Sequence, residues 1–155
     1  MRTHREHSSS RIIVVLLALS VLPATARAQI LPGRPSDFNG DVKTDLLWYN
    51  ASTGQTSVLL MDRLNILSGV VIRTDPNWQV IGTGDLNGDG EADLLWYNQP
   101  LGQTEAWLMS GTNVLASATL SSDPNQLLIA AADLNGDHKT DLIWKQLLGL
   151  GPTSA

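Results

Sequence analysis

Three stretches of this chain share one frame, Asp-x-Asn-Gly-Asp-x-x-x-Asp, at residues 37–45, 85–93 and 133–141, so the frame returns every 48 residues. A fixed period of this length marks a repeat protein, in which each unit buries its apolar face only against its neighbours. The correspondence runs beyond the acidic frame. Trp48 aligns with Trp96, Gly54-Gln55-Thr56 with Gly102-Gln103-Thr104, Leu60-Met61 with Leu108-Met109, and Asp75-Pro76-Asn77 with Asp123-Pro124-Asn125.

Between the acidic stretches the chain reads as short strands and turns. Runs rich in aromatic and β-branched residues at 46–50, 57–61 and 66–73 are separated by Gly, Asn and Asp clusters, and Pro76 ends the last of them. In the second unit the same reading puts strands at 78–83, 93–97, 104–109 and 114–121. The third gives strands at 127–132 and 141–144, and then departs from the pattern over residues 145–155. No segment keeps a helical period, so the expected class is all-β. Four short strands per 48-residue unit predict tandem four-stranded antiparallel blades of a β-propeller. The units are expected at 37–77, 78–125 and 126–155, which amounts to about two and a half blades, an incomplete propeller.

The first residues read differently. Arg2, Arg5 and Arg11 precede an apolar run at 12–22, and Ala26-Arg27-Ala28 supplies small residues at a cleavage site. That order is the pattern of a secretory signal peptide over residues 1–28, followed by a leader at 29–36. The run is too short to span a bilayer, so no membrane span is expected in the mature chain, which would be secreted or periplasmic. Cleavage after Ala28 would leave six basic against 14 acidic side chains, and nine of those acids are Asp residues in the three repeated stretches. Such a balance excludes a nucleic-acid partner on electrostatic grounds. There is no cysteine, and His138 is the one histidine after residue 28, so thiol chemistry and an ordinary zinc site are excluded.

The acidic stretches carry oxygen chemistry. Positions 1, 3, 5 and 9 offer three carboxylates and an amide oxygen, and position 7 would add a backbone carbonyl, a set suited to Ca2+ with its irregular shell of 6 to 8 oxygens. Magnesium, smaller and strictly octahedral, fits such a loop less well. An EF-hand fails on two counts: its position-12 Glu is replaced by Trp48, Trp96 or Trp144, and the flanks are strands. The competing reading of each stretch is a set of Asp and Asn turns with no metal.

These loops, preceded in the second unit by Ile81-Gly82-Thr83-Gly84 and followed by Asp-Leu-Leu-Trp, resemble the FG-GAP / VCBS repeats of secreted bacterial proteins and of the integrin α-subunit head. The resemblance covers residues 37–144 and implies propeller blades with calcium in the loop between first and second strands. Carried over, it implies the ligands Asp85, Asn87, Asp89, Asp93 and the backbone oxygen of Glu91; Asp133, Asn135, Asp137, Asp141 and the backbone oxygen of Lys139; and Asp37, Asn39, Asp41, Asp45 and the backbone oxygen of Lys43. Position 6 of the family loop is usually Gly, and Gly90 alone obeys. His138 tolerates a left-handed backbone, whereas the β-branched Val42 should resist it. Ala130-Ala131-Ala132 also stands where Gly is expected. The expected order of the sites is therefore second, third, first.

The repeated Trp48, Trp96 and Trp144 are expected to pack blade against blade, with sugar stacking as the alternative. Tyr49 and Tyr97 fall on the opposite strand face and are the better exposed candidates, with Gln55 and Gln103 beside them in turns. His138 has no second His or Cys to form a nucleophile and base, so a non-catalytic protein is expected. The functional expectation is a secreted calcium-binding module for adhesion, interaction or scaffolding, with an unknown protein or glycan ligand. A glycan-binding lectin and a remnant of a larger exported enzyme are the alternatives. Two and a half units also leave open self-association to complete a ring, or a truncated copy of a longer chain.

Overall fold

The computed structural model describes residues 36–147; the expected signal peptide, all of the leader but Ser36, and the divergent tail from residue 148 lie outside the described residues. Nine strands follow one another: β1 (Leu46–Asn50), β2 (Gln55–Asp62), β3 (Asn65–Thr74), β4 (Trp78–Gly84), β5 (Asp93–Asn98), β6 (Gln103–Ser110), β7 (Asn113–Ser121), β8 (Gln126–Ala132) and β9 (Asp141–Gln146). They form three antiparallel sheets, ordered β1-β2-β3, β4-β5-β6-β7 and β8-β9. The described residues contain no helix, and none of the three sheets closes on itself. This is an all-β, incomplete propeller-like arrangement, as the repeat predicts. Observed strands exceed the expected ones by a residue or two, because ladder pairing carries on into the polar turn residues.

The repeat is visible in the ladders. β2 buries Thr56, Val58 and Met61, and β6 buries their equivalents Thr104, Ala106 and Met109. The step from alternate residues to a gap of three falls at a register shift, between Leu60 and Met61 and between Leu108 and Met109. A bulge there inserts one residue and turns both methionines inward, where strict alternation would send them outward. A second pair of shifts, Val80/Gly82 and Leu128/Ala130, is likewise shared between units.

Two apolar layers fill the junctions between sheets. Phe38, Val58, Trp78, Leu94, Trp96 and Met109 make the first, and Leu95, Ala106 and Ala131, backed by Leu86, Leu128 and Leu142, make the second. β5 supplies both, Leu94 and Trp96 to one and Leu95 to the other, which is why it reads as an unbroken apolar run. Ala131, 3% exposed, sits in the second layer where small size is what the packing requires.

The packing expectation for the repeated tryptophans holds for Trp96, which is fully buried. Trp144 is half-buried, and Trp48 is 62% exposed. The run Leu-Leu-Trp-Tyr-Asn occurs in both β1 and β5, yet β1 is open to solvent among the described residues, since no described sheet lies on its far face. The expected resistance at Val42 is corrected outright: it adopts φ 65°, beside His138 at 69° and Gly90 at 90°. Its side chain is 92% exposed and its N–H is held by Asp37 at 2.8 Å. The loop's hydrogen bonds thus outweigh an intrinsic penalty of about 1–2 kcal/mol.

Candidate metal centres

The second and third acidic stretches join β4 to β5 and β8 to β9, the first leads into β1, and all three are wound by one hydrogen-bond scheme. The position-1 carboxylate gathers N–H groups from the turn ahead of it. Asp37 accepts from Asp41 and Val42 at 3.1 and 2.8 Å, Asp85 from Gly88, Asp89 and Gly90 at 2.6, 3.2 and 2.9 Å, and Asp133 from Gly136 and His138 at 2.7 and 2.9 Å. The position-3 amide oxygen accepts the N–H of position 5, at 3.2 Å for Asn39, 2.9 Å for Asn87 and 2.8 Å for Asn135. The position-5 carboxylate accepts the N–H of position 7, at 2.9 Å for Asp41, 2.8 Å for Asp89 and 2.9 Å for Asp137. Such side-chain-to-backbone turns are what short Asp and Asn side chains make when the backbone turns left-handed.

Position 9 behaves differently. Asp93 is fully buried and accepts the N–H of Leu86 with one oxygen and that of Met109 with the other, both at 2.8 Å. Asp45 repeats this with Phe38 and Met61, again at 2.8 Å. Asp141 accepts the N–H of Leu134 at 3.0 Å. In the first two loops the expected ligand at position 9 therefore fastens its loop to the second strand that follows it, β2 for Asp45 and β6 for Asp93. Each carboxylate oxygen retains capacity for one further partner.

Electrostatics differ among the loops. Burial pushes the Asp93 carboxyl above its ordinary value against the pull of its two N–H donors, and the neighbouring charges of Asp89 and Asp85 push it the same way. In the first loop the Lys43 ammonium lies 3.1 Å from Asp41 and 3.5 Å from Asp62, and its hydrogen bond holds Asp41 below the ordinary range. Asp133, exposed, is lowered by the Gly136 N–H more than by any other group. A cleft of about 290 Å3 runs between the first two loops, with Asp37, Asp85 and Glu91 among its lining residues. One oxygen of Glu91 is buried there without a hydrogen-bond partner.

The donor set fits a hard cation: it is all oxygen, with the like-charged Asp85, Asp89 and Asp93 in the second loop. Among the described residues, however, no three His, Cys, Asp or Glu side chains stand close enough together to hold a metal as they are placed. The oxygens of positions 1, 3 and 5 are turned onto the loop's own N–H groups.

Two features escaped the sequence reading. The Arg73 guanidinium, from β3, lies 4.2, 4.5 and 4.3 Å from the ring centroids of Trp78, Trp96 and Trp107 and is paired with Glu105 at 2.8 Å. It pins the first sheet to the second. The loops are also chained to each other: the position-8 N–H of Ala92 donates to the position-1 carbonyl of Asp37 at 2.7 Å, and that of Thr140 to Asp85 at 2.6 Å. Of the polar-ligand candidates, Tyr49 is 40% exposed, Tyr97 is half-buried, and Gln103 donates to Thr119 at 3.3 Å.

In comparisons with known proteins, a family model described as an FG-GAP-like repeat matches residues 37–96 and again 85–144. Each match runs from position 1 of one loop to the tryptophan at position 12 of the next. No curated protein and no solved structure matches the chain.

Proposed function

The chain belongs to the FG-GAP-like repeat family, and from that premise we propose that it is a secreted, non-catalytic interaction or scaffolding module whose loops bind calcium. The observation that carries the reading is the second loop. It winds the buried carboxylates of Asp85 and Asp93 into one oxygen-rich turn with Asp89, and burial, with the Asp89 and Asp85 charges adding to it, disfavours ionisation of Asp93. Like charges gathered at a partly buried site are unfavourable alone and are relieved by a divalent cation. Bound calcium supplies that neutralisation and nothing redox or hydrolytic.

The chain's own residues do the rest. Asp85 and Asp89 supply carboxylate oxygen, Asn87 amide oxygen, and the backbone carbonyl of Glu91 completes the turn. Asp93 holds the loop to β6 through Met109 and keeps acceptor capacity for the cation. The third loop has the same scheme with all its carboxylates exposed or half-buried. The first has Lys43 against Asp41, a competitor for the same oxygens. This supports the second loop as the strongest site and the first as the weakest. Export is supported by the residue 1–28 pattern, and among the described residues no helix is long and apolar enough to cross a membrane. The glycan-stacking alternative is disfavoured at Trp96, which is fully buried.

Thermal unfolding with calcium and with chelator tests the reading. Binding to the native state alone adds about 2.7 kcal/mol at 100 times the dissociation constant. The expected result is a higher midpoint in calcium, much reduced by Asp89→Ala. An unchanged midpoint in the parent protein would remove the metal from the proposal.

A further inference from the structure

The two junctions between sheets repeat one interface, and its two halves recur, uncovered, at opposite ends of the described molecule. At each junction the position-8 N–H of one loop donates to the position-1 carbonyl of the loop before it, Ala92 to Asp37 and Thr140 to Asp85. The position-7 side chain lies over the preceding position-4 glycine: a Cβ added at Gly40 would stand 3.6 Å from Glu91 Cγ, and one at Gly88 would stand 2.8 Å from Lys139 Cε. At the first junction the Gly111 N–H, in the left-handed turn between β6 and β7, also donates to the Phe38 carbonyl at 2.6 Å.

One half of this interface faces outward from the first sheet. Thr44 holds position 8, Lys43 position 7, and Arg63 stands where Gly111 does, with the same φ of 58°. Leu46 and Trp48 are 47% and 62% exposed, whereas their equivalents Leu94 and Trp96 are fully buried. The other half faces outward from the third loop. Leu134 is 61% exposed where Phe38 is buried, and nothing lies within 4 Å of a Cβ added at Gly136. Among the described residues neither the Thr44 N–H nor the Asp133 carbonyl has a backbone partner.

We infer that a second copy of this chain docks its first sheet onto the third loop of the first copy, reproducing the internal junction. Thr44 of one copy then donates to the Asp133 carbonyl of the other, Arg63 N–H meets the Leu134 carbonyl, and Leu46 and Trp48 cover Leu134. Lys43 comes to lie over Gly136 beside the acidic third loop, as Lys139 lies over Gly88, so charge complements shape. The contact is head-to-tail, so each copy offers one half of each kind and the association propagates until it closes into a ring. It stands on the sheet junctions and is independent of the calcium reading.

Light scattering or sedimentation of the full chain over a concentration series, in calcium, tests this. The expected parent species has a mass at least twice that of one chain. Trp48→Glu and Leu134→Lys, each damaging a different half, are each expected to be monomeric with an unchanged β signal in circular dichroism. Their equimolar mixture is expected to recover a two-chain species and nothing larger, since one intact half of each kind remains. If Trp48→Glu disturbs the β signal, Leu46→Glu on the same half takes its place. A mixture that stays monomeric overturns the inference, as do single variants that still assemble like the parent. A monomeric parent with Trp48 shielded from a fluorescence quencher assigns the first-sheet half to the chain's own residues 29–35, which also overturns it.

Discussion

The Asp93 carboxylate accepts the Met109 N–H at 2.8 Å across 16 residues of chain, while its second oxygen holds Leu86 at the same distance. One buried side chain thereby fixes the start of the loop and the bulged end of β6. Asp93→Ala strands two N–H donors, and a buried donor left without a partner costs about 1–3 kcal/mol. A loss of roughly 3 kcal/mol in urea unfolding is expected on that basis. Asp93→Asn keeps one acceptor oxygen and should lose less than half as much. Asp141→Ala, holding one described N–H at a half-buried site, should fall below both. Equal losses at 93 and 141 would contradict the stapling role.

Arg73 is the second long-range tie. Three indole faces and Glu105 surround its guanidinium, and all of that contact crosses from the first sheet to the second. Its removal exposes indole faces and leaves Glu105 unpaired at a site where both partners are mostly buried. Arg73→Ala is expected to lose about 3 kcal/mol, as a desolvated cation–π contact and a broken charge pair together suggest. Lysine has no planar face to stack on the rings, so Arg73→Lys should recover little of it. Urea unfolding followed by tryptophan fluorescence reads both variants. A lysine variant as stable as the parent would show that charge alone matters.

Strand positions and loop chemistry were open to sequence reading because both are local. Alternation and aromatic runs located all nine strands, and the spacing of Asp and Asn located the turns. Burial was not local: Leu-Leu-Trp-Tyr-Asn stands in both β1 and β5, and Trp48 and Trp96 differ only in whether a described sheet covers them. The position-9 carboxylates carry the same limit, since nothing near Asp93 in the chain marks Met109 as its partner. Arg73 likewise reads as one more residue of a β-branched strand until three tryptophans from other strands converge on it. Val42 misled for the opposite reason: its residue type opposes a left-handed backbone, and the Asp37 hydrogen bond overrides the type.

The close approach at Gly84 yields a paired prediction. A Cβ at Gly84 would stand 2.5 Å from Thr140 Oγ1. At the equivalent place in the first junction the chain has Ser36 and Ala92, a side chain on one partner matched by a smaller one on the other. Gly84→Ala alone should destabilise by about 2 kcal/mol through overpacking. Adding Thr140→Ala should return most of it, giving a coupling of about 1 kcal/mol or more in a double-mutant cycle. Additive losses would mean that the glycine serves the backbone and not the junction.

Two carboxylates predict pH dependences of opposite sign in calcium-free protein. Burial raises the folded pKa of Asp93 above 3.8, so the native state binds its proton more tightly than the unfolded chain does. Its contribution is then complete below 3.8 and is lost as pH rises through the folded value. Asp123 is the reverse: the Asn125 N–H, at 2.8 Å, and then the Gln146 side chain lower it below 3.8. Its contribution is present above 3.8 and is lost as pH falls through the lowered folded value. The stability of the parent relative to Asp93→Asn should therefore decline with rising pH, and that relative to Asp123→Asn should increase. Calcium should flatten or invert the first slope, because the cation favours the ionised Asp93, and should leave the second unchanged. Urea unfolding of the three proteins across the acidic range measures both slopes. A calcium-insensitive Asp93 slope beside a calcium-dependent melting point would move the cation to the first or third loop.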